Sequence, residues 1–188
     1  MTCKLDPPGS RGPGLALIGY RATGKSTVGR ILAARLGRTF LDADREIEAR
    51  TGRSIRAMFS EWGEPAFRDW EERTLAELMA KHPASILATG GGAILRETNR
   101  RRIRDFGFVV WLTADPCELA RRLEADRPGL ADRPALTPAG TLEEIARVLE
   151  ARSPVYGQLA DAVLETSGKN PDEVADAVLD CWMLRTGT

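Results

Sequence analysis

The sequence has few of the residues that cross-link or anchor a chain. It contains three cysteines, Cys3, Cys117 and Cys181, which are scattered and lack metal-ligand spacing, so we expect free thiols in a reducing compartment. Its single histidine, His82, precedes Pro83 and is expected at a helix end, not as a catalytic base. No apolar run reaches about 18 residues, which excludes a predicted transmembrane helix.

A net charge is also missing, because 27 Lys and Arg residues balance 27 Asp and Glu residues. A general nucleic-acid-binding protein usually carries a basic excess, so nucleic acid is not an expected partner. Residues 1–13 hold prolines and glycines but no apolar segment, which predicts a flexible tail and no secretory signal. The remaining expectation is a cytoplasmic monomer with one domain over residues 14–188.

Short apolar runs alternate with segments of helical periodicity along the chain. The predicted strands are 15–19, 39–42, 85–89, 108–112 and 162–165. The predicted helices are 25–36, 45–50, 54–60, 65–81, 97–104, 116–125, 142–159 with an interruption at Pro154, and 171–184. This alternation indicates an α/β fold with three layers, in which helices cover both faces of a five-stranded parallel sheet. Ligands of such sheets bind at the carboxyl ends of the strands.

A phosphate-binding loop follows the first of these strands. Residues 19–26, GYRATGKS, match the GxxxxGK[ST] pattern between a strand and a helix. Backbone N–H groups of such a loop hold phosphate oxygens, and Ser26 can ligate Mg²⁺. Lys25 places a positive charge on the β- and γ-phosphates and is a predicted catalytic residue. The predicted ATP-binding residues of this segment are Gly19, Ala22, Thr23, Gly24, Lys25, Ser26 and Thr27.

Two carboxylates, Asp42 and Asp44, stand at the end of the second predicted strand. Side chains two residues apart share one face if the strand continues, so Asp42 can face the metal while Asp44 contacts a substrate hydroxyl. The alternative is that Asp44 caps the following helix. Spacing alone leaves both interpretations open.

Further segments, in order and spacing, carry a family resemblance. After the P-loop and FLDAD at 40–44 come TGRSI at 51–55, GEPAFR at 63–68 with Glu71, and TGGG at 89–92. Together they resemble the shikimate kinase family over nearly the whole chain from about residue 14. The resemblance implies a nucleoside-monophosphate-kinase-like fold and transfer of the γ-phosphoryl of MgATP to the 3-hydroxyl of shikimate. This reaction is a step of aromatic amino-acid biosynthesis.

The same resemblance implies roles for individual residues. Asp44, which would also take part in catalysis, and the glycines Gly90, Gly91 and Gly92 would hold shikimate. Arg68, oriented by Glu71, and Arg152 would bind its carboxylate, a pairing that suits guanidinium groups. Asp42 and Ser26 would serve Mg²⁺.

The segment 126–140 would form a lid over ATP. It contains the tandem copies Arg127-Pro-Gly-Leu and Arg133-Pro-Ala-Leu, of which Arg133 is the better match to the family's catalytic lid arginine. Arg127 would then lie near the adenine. Lys169 and Pro171 resemble a second adenine-flanking stretch.

One departure from the family pattern concerns Ala22, where members usually have glycine. If this position requires a positive φ, alanine costs about 1 kcal/mol there. No predicted strand ends in a separate Walker-B aspartate, so Asp42 must serve the metal. A kinase for another small hydroxy acid, such as gluconate, is the nearest alternative function, and an inactive nucleotide-binding regulator is another.

Overall fold

A computed structural model describes residues 2–3, 11–125 and 142–186. The strands are β1 Thr2–Cys3, β2 Gly14–Ile18, β3 Phe40–Asp42, β4 Ile86–Ala88, β5 Gly107–Thr113 and β6 Ala162–Glu165. The helices are α1 Lys25–Leu36, α2 Ala43–Thr51, α3 Ile55–Lys81, α4 Glu97–Phe106, α5 Pro116–Ala125, α6 Leu142–Leu159 and α7 Pro171–Thr186. A 3₁₀ turn spans Ala93–Leu95.

The sheet has the strand order β1-β6-β5-β2-β4-β3, with β2 near its centre. Leu17 of β2 lies opposite Ala88 on one side and Val110 on the other. Five strands are parallel, as predicted, and β1 is an additional antiparallel strand that pairs with β6. The sequence did not reveal β1, because two residues carry no periodicity.

Alternating residues of β2 divide the core between the two faces of the sheet. Leu15 and Leu17 pack with α1 and α7, whereas Ala16 and Ile18 pack with α3, α4 and α6. All four side chains are fully buried. The three-layer α/β architecture is therefore confirmed. In the part of the chain that the structure describes, no helix has the length and apolar character needed to cross a membrane.

Two helices contain a glycine or a proline at which the sequence predicts a break. Around Gly63, with φ 78° and ψ 168°, the chain leaves helical geometry, which confirms the predicted break between two helical segments inside α3. In α6, by contrast, the predicted interruption at Pro154 is wrong, since the helix continues to Leu159. Burial of Ile145 before the proline and of Tyr156 and Leu159 after it holds both halves in one helix despite the lost N–H.

The segment before β2 is joined to the sheet by a buried ion pair. Arg11 donates from NH1 to both carboxylate oxygens of Asp161, at 2.7 and 2.8 Å. The same carboxylate accepts from the backbone N–H of Val109 at 2.8 Å, and NH1 of Arg185 lies 3.7 Å away.

Residues 4–10 and the predicted lid at 126–140 lie outside the described residues, so the predicted tail and lid stay predictions.

We expect Asp161→Ala to lower the free energy of unfolding by about 3 kcal/mol or more, because it leaves two arginines and a strand N–H without this buried acceptor. Urea denaturation followed by circular dichroism measures the change. Asp172→Ala is the control, since its carboxylate pairs with Arg35 at the surface. Equal urea midpoints for the two variants would contradict the expectation.

Candidate active site

A cleft of about 960 Å³ opens at the carboxyl edge of the sheet, near the upper end of the range for small-molecule sites. The residues that line it lie at or after the ends of β2, β3, β4 and β6 or belong to α1, α2, α3, α5, α6 and α7. The predicted residues that line it are Ala22, Thr23, Gly24, Lys25, Ser26, Thr27, Asp42, Asp44, Arg68, Glu71, Gly90, Gly91, Gly92, Arg152, Lys169 and Pro171. Arg127 and Arg133 lie outside the described residues.

The loop between β2 and α1 wraps around the ammonium group of Lys25. This group donates to the carbonyl oxygens of Gly19 at 2.8 Å and Tyr20 at 2.6 Å. The Thr23 hydroxyl also donates to the Tyr20 carbonyl, at 2.8 Å. Because α1 begins at Lys25, the lysine charge and the helix N-terminus act on the same place, a combination that attracts phosphate.

Ser26 and Asp42 meet at the floor of the cleft. The Ser26 hydroxyl donates to Oδ2 of Asp42 at 2.5 Å. The described residues include no group of three or more His, Cys, Asp and Glu side chains that could hold a metal ion. One hydroxyl beside one carboxylate fits Mg²⁺, which commonly takes few protein ligands and fills its remaining positions with water and phosphate oxygens.

The prediction that Asp42 and Asp44 share a strand face is wrong, as is the alternative that Asp44 caps the next helix. Oδ1 of Asp42 accepts from the backbone N–H of Arg45 at 3.3 Å and caps α2. The chain therefore turns into a helix at Ala43, and Asp44 projects from its first turn. Both carboxylates still line the cleft.

The three glycines after β4 allow close approach on all sides. A Cβ atom on Gly90 would lie 2.7 Å from both Oδ1 of Asp44 and Oε1 of Glu71, and one on Gly92 would lie 2.3 Å from NH2 of Arg68. A Cβ atom on Gly91 would lie 3.4 Å from the Gly19 carbonyl oxygen of the P-loop. The segment thus joins the phosphate-binding loop to a second set of charged side chains.

Arg68 is the centre of this second set. Its NH1 donates to Oε2 of Glu71 at 2.8 Å, and its Nε and NH2 donate to Oε1 of Glu64 at 3.1 and 2.9 Å. These three residues lie on one face of α3, at spacings of four and three. Arg68 is 8% exposed and Glu71 only 1%, so the pair is more buried than the solvated surface pair that its spacing would suggest.

Glu71 has an unusual protonation equilibrium for a carboxylic acid beside an arginine. Burial raises its pKa to about 7, against the opposing effect of the Arg68 charge, and the neighbouring Asp44 raises it further. Oε1 of Glu71 is buried without a hydrogen-bond partner among the described residues. The cleft thus holds one carboxyl group that titrates near neutral pH.

The far end of the cleft is organised by Arg122, which sequence reasoning missed. Its guanidinium donates to the carbonyls of Ala22 at 3.3 Å and Thr166 at 2.9 Å, and to Oε1 of Glu118 at 2.7 Å. It thereby connects α5 to the P-loop and to the end of β6. Glu64 and Tyr156 were missed as well. For Arg122 the sequence offers only a helical pair with Glu118, a pattern that surface helices commonly show.

Ala22 has a φ of 62° and is the single non-glycine residue with positive φ in the described part of the chain. This position therefore requires a positive φ, and alanine there carries the conformational cost of about 1 kcal/mol. Its methyl group packs against a cluster formed by Tyr20, Ala114, Leu119 and Ile145. This contact and the bond from Arg122 to its carbonyl stabilise the strained backbone.

The fold and the cleft together define a P-loop kinase that acts on a small molecule. A family model described as shikimate kinase matches residues 21–182. The chain belongs to the shikimate kinase family.

Individual relatives agree with this membership. The chain is 41% identical over 165 residues to shikimate kinase of Rhodopirellula baltica, covering 88% of each chain. It is 45% identical over 164 residues to that of Paracidovorax citrulli, covering 85% of this chain and 87% of the relative.

Solved structures extend the comparison. Shikimate kinase from Acinetobacter baumannii in complex with shikimate superposes with a TM-score of 0.85 at 36% identity, over 93% of this chain and 94% of the other. A gluconokinase from Sinorhizobium meliloti gives a TM-score of 0.53 at 17% identity, over 94% and 96% of the two chains. The latter likeness concerns the fold alone.

We expect Glu71 to lower the free energy of unfolding as the pH rises from about 4.5 to 7. The folded state keeps this proton up to about pH 7, whereas the unfolded chain releases it near 4.5, so the folded state is favoured at the lower pH. Glu71→Gln should remove up to about 3 kcal/mol of this pH dependence, measured from urea midpoints at pH 5 and pH 8.

Glu118→Gln is the matched control for that measurement. Hydrogen bonds from Arg121 and Arg122 lower the pKa of Glu118 to about 2 in the folded state, and an unfolded Glu titrates near 4.5, so this group is largely ionised in both states between the two measured pH values, 5 and 8. Its substitution should leave the slope of stability against pH unchanged. A Glu71→Gln variant with the wild-type slope would show that Glu71 is ionised in the folded state.

We expect Ala22→Val to weaken ATP binding at least about tenfold, because a β-branched side chain at this φ is far more strained than alanine. Ala22→Gly, which removes the strain, should bind ATP within about threefold of wild type. Fluorescence titration with a labelled ATP analogue measures both. Similar affinities for Ala22→Val and wild type would show that the loop tolerates a different backbone at this position.

Proposed function

We propose that this chain transfers the γ-phosphoryl group of ATP to the 3-hydroxyl of shikimate, giving shikimate 3-phosphate and ADP. The observation that carries the proposal is the position of Arg68, buried between Glu64 and Glu71 in the same cleft as the P-loop. A fixed guanidinium suits an acceptor with a carboxylate. Membership of the shikimate kinase family identifies the acceptor class.

The nucleotide occupies the P-loop side of the cleft. Phosphate oxygens lie at the N-terminus of α1, where the charge of Lys25 stabilises the β- and γ-phosphates. The opposite end, lined by Arg122, Lys169 and Pro171, receives the adenine. Arg127 and Arg133 lie outside the described residues, and the family resemblance assigns Arg133 to the transferring group and Arg127 to the adenine.

Ser26 and Asp42 hold Mg²⁺. Their hydrogen bond brings a hydroxyl and a carboxylate oxygen within 2.5 Å of each other beside the phosphate site. The ion, when bound, neutralises phosphate charge during transfer. Asp42 therefore has two tasks, since its other oxygen caps α2.

The acceptor occupies the side formed by α2, α3 and the three glycines. Arg68 and Arg152 bind its carboxylate, and Glu71 and Glu64 fix the plane of Arg68. Asp44 receives a hydrogen bond from the reacting hydroxyl. As the new P–O bond forms and the bond to ADP breaks, the hydroxyl proton passes to this carboxylate.

A coupled ADP-release assay with MgATP and shikimate, gluconate or no acceptor tests the function. Turnover should require shikimate and stop on chelation of Mg²⁺. Asp44→Asn and Arg68→Ala should each reduce kcat/KM by at least about a hundredfold, since each removes a charged contact to the acceptor.

The matched controls lie on the same helix as Arg68. Arg73→Ala and Asp69→Asn make the same chemical changes at exposed positions and should keep wild-type activity. ATP binding without shikimate-dependent ADP release would refute the proposed reaction. Turnover with gluconate instead would indicate a different hydroxy acid as the acceptor.

A further inference from the structure

The carbonyl oxygen of Gly91 accepts hydrogen bonds from two side chains of α6. The Tyr156 hydroxyl donates at 2.5 Å, and NH1 of Arg152 donates at 3.2 Å. The two donors are four residues apart and therefore project from the same face of the helix. One helical turn thus holds the central peptide of the three glycines.

The two donors differ in how firmly they are held. Tyr156 is fully buried, and its ring stacks on Trp111 with centroids 5.4 Å apart and planes at 18°. Burial raises the pKa of Tyr156 to about 12, so the phenol keeps its proton and can donate at any working pH. Arg152 is half-buried, lines the cleft and has a long, rotatable side chain.

The role proposed for Arg152 conflicts with its bond to Gly91. A guanidinium that turns towards the acceptor's carboxylate weakens or loses its hydrogen bond to the carbonyl. A partly buried carbonyl left without a donor is unfavourable, and this cost would oppose substrate binding. Because the buried Tyr156 hydroxyl also donates to the Gly91 carbonyl oxygen, that oxygen keeps a hydrogen bond when Arg152 turns away, and substrate binding does not incur this cost.

We propose that Tyr156 is a positioning residue of the acceptor site. It remains the donor to the Gly91 carbonyl while Arg152 moves to the substrate, and it holds the Gly90–Gly92 backbone against the P-loop and Arg68. This inference rests on the proposed function, because it assumes an acceptor with a carboxylate.

The kinetic test compares Tyr156→Phe with Ser153→Ala. Both remove one hydroxyl from α6, but the Ser153 hydroxyl donates within the helix, to the Leu149 carbonyl. Tyr156→Phe should raise the KM for shikimate about tenfold, the effect of about one hydrogen bond, with the KM for ATP within about twofold of wild type. Ser153→Ala should leave both constants near wild type. Equal changes in both KM values would reduce Tyr156 to a structural role and overturn the proposal.

A second measurement does not depend on activity. The chain contains consecutive glycines at 90–92 and nowhere else, so glycine labelled with carbon-13 at the carbonyl and with nitrogen-15 gives two Gly–Gly peptide signals. The Gly91 carbonyl resonance of the ligand-free protein should move in Tyr156→Phe and stay in place in Ser153→Ala. In Arg152→Ala it should stay closer to wild type than in Tyr156→Phe, because Tyr156 still donates.

The outcomes separate this inference from the proposed function. If the wild-type protein shows no shikimate-dependent turnover, the proposed function is contradicted. The Gly91 carbonyl resonance then still tests whether Tyr156 is its donor. An unmoved resonance in Tyr156→Phe overturns the inference even if the enzyme is active. A moved resonance with an unchanged KM for shikimate overturns the positioning role. If Tyr156→Phe does not fold, the test uses Arg152→Ala. The inference is then refuted if Arg152→Ala moves the Gly91 carbonyl resonance of the ligand-free protein further than shikimate binding moves it in the wild type.

Discussion

The close approach of residues 90–92 to their neighbours is the contact on which the rest of the site depends. Gly91 packs against the P-loop backbone, while Gly90 and Gly92 leave room for Asp44, Glu71 and Arg68. Any side chain at 90 or 92 would meet a charged group at less than 3 Å. The phosphate-binding and acceptor sides can share one cleft because the backbone between them occupies so little space.

The charged groups around this contact are placed by helices that the core holds rigidly. The face of α3 that presents Glu64, Arg68 and Glu71 continues into Leu75 and Leu78, which are buried against the sheet. The guanidinium plane therefore depends on the packing of a helix and not on a loop. Such support lets Arg68 stay buried beside Glu71, a carboxyl group whose pKa lies near neutrality.

Local patterns were sufficient for the P-loop and most of the secondary structure. The helix at Lys25–Leu36 and the strand at Ala162–Glu165 have the predicted boundaries, because their apolar spacing and flanking turns are encoded within a few residues. Local reasoning failed where a single contact decides between conformations. The cap formed by Asp42 ended β3 and turned Asp44 into a helical residue, and packing carried α6 through Pro154.

The sequence by itself determined the class of the protein, through the P-loop, and indicated the acceptor, through segments that resemble one family. Only the tertiary structure decided which side chains cooperate. Arg122 reaches Ala22 a hundred residues away in the chain, and Tyr156 reaches Gly91 across 65 residues. No periodicity links such pairs, because their contact arises from the packing of α5 and α6 beside the sheet. A motif can specify the chemistry of a site, but the long-range contacts that hold it in place exist only in the folded chain.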